Sequence, residues 1–104
     1  MQTAQHIHDG TARAAHAAGI AKQLDILREA TQMLSRAGHT IQAAGVGPGQ
    51  LFIYLAPSAK LSSLADEGRA AYWMRGIDGD GQHYRKGQLL DYRNVLVTWT
   101  ERGN

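Results

Sequence analysis

The chain of 104 residues has no cysteine, which excludes disulfides, thiolate metal sites and a thiol nucleophile together and fits a reducing compartment. Nowhere do about 18 apolar residues run together, and the opening MQTAQHIHDG has neither a basic n-region nor an apolar h-region. The expectation is a soluble, cytoplasmic protein with no membrane partner. Low-complexity tracts and internal repeats are missing as well. So are local signatures of catalysis. The glycine-rich GVGPG at 45–49 lacks the Gly-Lys-Ser/Thr ending of a phosphate-cradling loop, and Gln50 stands where a dinucleotide G-x-G-x-x-G needs its last glycine. No G-x-S-x-G, H-E-x-x-H or kinase-type motif occurs. Of four serines, three fall in one short predicted helix, and neither His39 nor His83 has a neighbouring serine or carboxylate that would make a triad visible.

Metal chemistry fares no better. His6, His8 and Asp9 are ligand types that suit zinc or nickel, but the next histidine, His16, is eight residues beyond His8, with no i, i+4 relation. Asp78-Gly79-Asp80-Gly81 looks like the start of a calcium loop, yet the twelfth position, where an EF-hand needs glutamate, holds Leu89. The expectation is therefore a protein that is not an enzyme, with no catalytic residue, metal or cofactor.

What is present is globular. Apolar residues make up 43% and charged residues 19%, and a chain of this length can bury roughly two-thirds of its unfolded surface around one core. A single domain over 1–104 is expected. The formal charge is +2, with eight arginines among the eleven basic residues; this balance does not establish a nucleic-acid footprint.

The run QLFIYLA at 50–56, stopped by Pro57, reads as the central strand of a sheet. Leu51, Ile53 and Leu55 point one way, Phe52 and Tyr54 the other. Residues 11–37 read as one long helix, with Asp9 or Thr11 as N-cap and Gly38 as the left-handed residue after its last turn. Ile20, Leu24, Leu27, Thr31 and Leu34 form a stripe beside a second of Ile26, Ala30, Met33 and Ala37. The alanine-rich part through Ala18 offers little to bury, so a bend at Gly19 is expected, or a protruding helical arm or frayed leader over 1–19. Residues 39–46 make a modest first strand, turned by GVGPG into an antiparallel pair with the central strand. Ser58 caps a short helix ended by Gly68. Strands follow at 69–77, 83–88 and 94–100, the first two joined by the Asp-Gly turn. In the first of these, Ala71, Trp73, Arg75 and Ile77 alternate against Ala70, Tyr72 and Met74. The fold class is α+β in two layers: the long helix on one face of a small, four- or five-stranded, mainly antiparallel sheet, plus the short helix after the central strand.

One constellation rises above background. Phe52, Tyr54, Tyr72, Trp73, Arg75, Tyr84, Arg85 and Trp99 all fall on predicted strands, and one helix cannot cover both faces of a sheet. A face displaying rings and guanidiniums can anchor a protein, where Trp, Tyr and Arg dominate binding energy, or stack bases. Phe52, Tyr54, Tyr72, Trp73, Arg75, Arg85 and Trp99 are the candidate partner-binding residues, with Trp73, Tyr54 and Arg75 as the main anchors.

The order of helix, hairpin, Pro57-Ser58 opening a short helix near Leu61, a strand centred on Tyr84 and a closing Val95-Leu96-Val97-Thr98-Trp99 resembles the small accessory proteins of bacterial phage and prophage genomes, over residues 20–102. That resemblance implies an anti-CRISPR-like or other anti-defence inhibitor, acting in the bacterial host cytoplasm on a protein or ribonucleoprotein complex of the host. Two other readings compete with it. One is a module for single-stranded nucleic acid or RNA, using the same face with Arg69, Arg75, Arg85, Lys86 and Arg93, although the Lys/Arg-Gly-aromatic fingerprint of RNA-recognition strands is absent. The other is a homodimer formed through the aromatic face or the alanine-rich arm.

Overall fold

A computed structural model describes the backbone of residues 2–103 and the side chains of residues 13–103. Helix α1 (Gln2–Arg36) is followed by strands β1 (Ile41–Gly47) and β2 (Gln50–Leu55), helix α2 (Ala59–Asp66), and strands β3 (Ala70–Ile77), β4 (His83–Leu89) and β5 (Val95–Gly103). This is the expected α+β order in two layers.

Both helices end as their sequences demand. Gly38 takes φ +90, a conformation that costs glycine nothing. It lets the N–H groups of Gly38 and His39 donate to the carbonyls of Ser35 and Leu34, each at 3.0 Å, the paired closure of a Schellman motif. Gly68 repeats the device at the end of α2, whose first turn is capped by the Ser58 hydroxyl accepting from the Leu61 N–H at 3.2 Å. Lys60 of α2 donates to the Ala37 carbonyl and ties the two helix ends together.

The start of α1 differs from expectation. The helix begins at Gln2, so Asp9 and Thr11 lie inside it rather than capping it, because most upstream residues are tolerated in a helix and none is proline. It also continues through Gly19 without a break. Side chains 13–22 are all exposed, so this part is an arm. His6, His8 and Asp9 fall outside the described side chains; among the described residues no group of three or more His, Asp or Glu could hold a metal ion.

The sheet has the order β1-β2-β5-β4-β3. Pairing is antiparallel for β1–β2, β5–β4 and β4–β3, and parallel for β2–β5. The sheet is thus mixed, with one parallel pair. The chain leaves β2 through α2, enters at the far edge as β3, and works back until β5 fills the central slot. In register, Leu51, Ile53 and Leu55 sit beside Val95, Val97 and Trp99. With Leu89 and Ala70 they meet Leu27, Ala30 and Leu34 of α1 and Leu61 of α2 in one buried cluster. Both helices therefore lie on the same side of the sheet. The apolar stripe of α1 runs past the sheet: Leu27 and Leu34 are buried, while Ile20 and Leu24 are exposed. No helix among the described residues is long and apolar enough to cross a membrane.

Candidate partner-binding face

Side chains alternate along strands and paired residues share a face, so the register assigns each residue to a side. On the side away from the helices, Gly45, Phe52 and Leu96 form one row, and Ala43, Tyr54, Thr98, Gln88 and Ala71 a second. A third row holds Thr100, Lys86 and Met74, and a fourth Arg102, Tyr84 and Gly76. Neither α1 nor α2 covers this face. Tyr54 is 45% exposed, Trp73 48% and Met74 40%.

Trp73 reaches this face through a β-bulge. The register slips between Tyr72 and Met74, leaving Trp73 without a partner on β4. The extra residue breaks the two-residue period, and Trp73 stands near Lys86, whose ammonium is 6.0 Å from its ring centroid. The simple alternation expected along β3 is corrected accordingly. Met74 belongs to the open face, and Arg75 is paired with Arg85 on the helix side.

Strand glycines decide how far each ring projects. Three aromatic side chains lie across a directly paired glycine: Phe52 over Gly45, Tyr84 over Gly76 and Trp99 over Gly87. A Cβ on these glycines would approach a ring carbon to 2.6, 2.7 and 2.3 Å respectively, closer than packed carbons come. Each glycine thus leaves room for a ring to fold sideways over the neighbouring strand. Phe52 and Tyr84 lie down over the edge strands, whereas Tyr54, opposite Ala43, and Trp73, on its bulge, stay exposed.

The remaining sequence candidates belong to the other side. Trp99 is 1% exposed and is a core residue. Its indole Nε1–H donates to Glu101 Oε2 at 2.7 Å, the Tyr72 hydroxyl donates to the same oxygen at 2.8 Å, and Arg85 Nε donates to Oε1 at 3.0 Å. The Arg85 guanidinium also lies 3.9 Å from the Tyr72 ring centroid, and Tyr72 meets Trp99 edge-on at 5.8 Å. These four side chains form a hub joining β3, β4 and β5, with Ser62 of α2 at 3.5 Å from Glu101. Trp99 is therefore corrected from an accessible anchor to part of the core, because its ring fills the space above Gly87. Tyr72 and Arg85 share the hub on the helix side, away from Tyr54 and Trp73.

Glu101 was not among the candidates, since the last strand was expected to stop at Thr100. The signal lay in continuing the alternation Val95, Val97, Trp99 by two more residues. Burial alone would raise the Glu101 carboxyl, but hydrogen bonds from Trp99, Tyr72 and Arg85, with the Arg85 charge, hold it below its ordinary value of 4.5. A depressed folded pKa contributes stability that is present above the unfolded value and is lost as pH falls through the folded one. Glu101→Gln should consequently lower the urea midpoint at neutral pH and flatten its decline below 4.5. A variant that declines with acid as steeply as wild type would place the titration elsewhere.

The basic residues do not assemble beside the rings. Arg69 is paired with Asp91, Arg85 with Glu101 and Arg102 with Asp78. Arg93 precedes β5 in an exposed loop, and Arg75 is on the helix side. Among the basic residues expected to serve a nucleic acid, Lys86 alone lies in the rows of the open face. No family model, curated protein or solved structure matches the chain.

Proposed function

We propose that this chain is a non-enzymatic binding protein whose open sheet face docks on a protein partner, as expected of a phage-type accessory protein that blocks a bacterial host complex in the cytoplasm. The observation that carries the reading is the exposure of Tyr54 and Trp73 on the face neither helix covers. They sit on β2 and β3, three strand spacings or about 14 Å apart, with the half-buried Gln88 and Lys86 of β4 between them, while Thr98 of β5 is buried and donates its hydroxyl to the Gly87 carbonyl at 2.6 Å. Two exposed aromatic anchors around a polar centre suit a protein interface of ordinary size. A stacking platform for nucleic acid would need cations beside the rings. Arg75 lies on the helix side and Arg69 and Arg85 are ion-paired, which favours protein over RNA.

Capture from a nuclease-treated bacterial lysate on immobilised wild-type chain, repeated with Trp73→Ala and Tyr54→Ala, tests this. Each substitution should weaken retention of the captured polypeptide about 30-fold, the equivalent of about 2 kcal/mol, with the fold intact. A polypeptide that binds both variants as tightly as wild type overturns the assignment. Retention abolished by nuclease supports the nucleic-acid reading instead, and a face occupied by a second copy of the chain supports the homodimer.

A further inference from the structure

At the end of the sheet beyond α2, a cleft is lined by Arg75, Ile77, His83, Arg85 and Glu101 of the helix side and by Tyr84 and Arg102 of the other, Arg102 being ion-paired with Asp78. Its floor contains one cross-strand row. Arg75 is paired with Arg85 on β4, and Arg85 with Glu101 on β5. Like charges directly opposite one another across strands repel, and the row of two guanidiniums and one carboxylate carries a net charge of +1.

The two arginines differ in how they are held. Arg85 is fixed in place: Nε and Nη2 both engage Glu101 Oε1, at 3.0 and 2.9 Å, and its guanidinium stacks on Tyr72. Arg75 is exposed and forms no ion pair among the described residues. The row thus presents one preorganised guanidinium and, paired across the strands with it, one free of an ion pair among the described residues, an arrangement in which a single carboxylate can accept charge-assisted hydrogen bonds from both. A monoanion brings the row to neutrality. A phosphate dianion would leave the row with a net negative charge. Ile77, 61% exposed, supplies an apolar wall for an aliphatic stem.

The geometry points to a carboxylate-recognition cleft, in which Arg75 and Arg85 receive an acidic side chain of the bound polypeptide. This rests on the protein-partner reading above and adds the charge of the partner. Arg75 lies two residues from Trp73 on the edge strand β3, so a partner passing along that edge reaches both.

The cleft can be tested on the chain alone. The guanidinium Nε–H resonances of Arg75 and Arg85 are followed by NMR while N-acetyl-glutamate α-amide is added, with N-acetyl-glutamine α-amide as the uncharged control and inorganic phosphate as the competing anion. Saturable shifts at both arginines are expected with the glutamate probe and not with the glutamine probe. Phosphate should bind more weakly. Arg75→Gln, at an exposed position that leaves the hub intact, should weaken the glutamate probe about tenfold, as loss of one charge-assisted hydrogen bond implies. Shifts that fail to saturate, that appear equally with glutamine, or that persist unchanged in Arg75→Gln overturn the cleft. Tighter binding of phosphate overturns the carboxylate assignment. Because no partner is needed, failure here leaves the open-face reading standing, and failure of partner capture leaves a cleft that binds the glutamate probe.

Discussion

Replacing Trp99 by alanine is expected to destabilise the fold by about 3 to 5 kcal/mol, the range for truncating a fully buried tryptophan. Domains of this size are stable by roughly 5 to 15 kcal/mol in total, so this single change removes a large fraction of the stability. Two effects combine. The ring is 1% exposed and packs in the cluster that joins both helices to the sheet, so its removal leaves a cavity under α2. It also removes the Nε1–H donor from Glu101, which weakens the hub. Trp99→Phe separates the two, since it keeps most of the apolar area and loses the donor. It should cost roughly 1 to 3 kcal/mol. Urea unfolding with an unchanged slope reports both values. A Trp99→Ala variant within about 1 kcal/mol of wild type would mean that the core described here does not hold the sheet to the helices.

Gly87→Ala should be nearly as damaging for the opposite reason. An added Cβ would lie 2.3 Å from Trp99 Cζ2 and 2.4 Å from Cη2, and the ring, enclosed on all sides, cannot move aside. Overpacking of this kind costs typically 1 to 3 kcal/mol, and the upper part of that range applies where the obstructing group is rigid. Gly45→Ala is the informative comparison. Its Cβ would meet Phe52 Cζ at 2.6 Å, but Phe52 is only half-buried and can swing into solvent, so its cost should be clearly smaller. The pair of Gly87→Ala and Trp99→Leu should be non-additive, the smaller leucine relieving part of the clash. Equal costs at Gly45 and Gly87, or simple additivity at Gly87 and Trp99, would contradict the ring-over-glycine packing.

What could be read from the residues was local. Gly38, Ser58 and Gly68 announced helix ends because their chemistry acts within a few residues, and Leu51, Ile53 and Leu55 announced a covered face because burial follows a period of two. What could not be read depended on distant partners. The bulge at Trp73 leaves no mark in AAYWMRGI, since apolar residues occupy both faces of that strand and either register looks acceptable. The parallel β2–β5 pair depends on where β3 enters the sheet, which no turn signal states. Trp99 resembled Trp73 as a strand aromatic. Only the pairing of Trp99 with Gly87, and of Glu101 with Arg85, shows that one ring belongs to the core and the other to the surface. A glycine inside a strand was the available clue to a ring lying over it, and it marks Gly45, Gly76 and Gly87 alike.

The division of aromatic residues between a closed face and an open one is most directly measured by acrylamide quenching of tryptophan fluorescence in wild type and Trp73→Phe. With one indole 1% and the other 48% exposed, Trp73→Phe should retain a blue-shifted emission that acrylamide barely reaches, and the emission it loses should be red-shifted and readily quenched at every protein concentration. Removal of a shielded component by Trp73→Phe, or protection of that component as concentration rises, would contradict an open face.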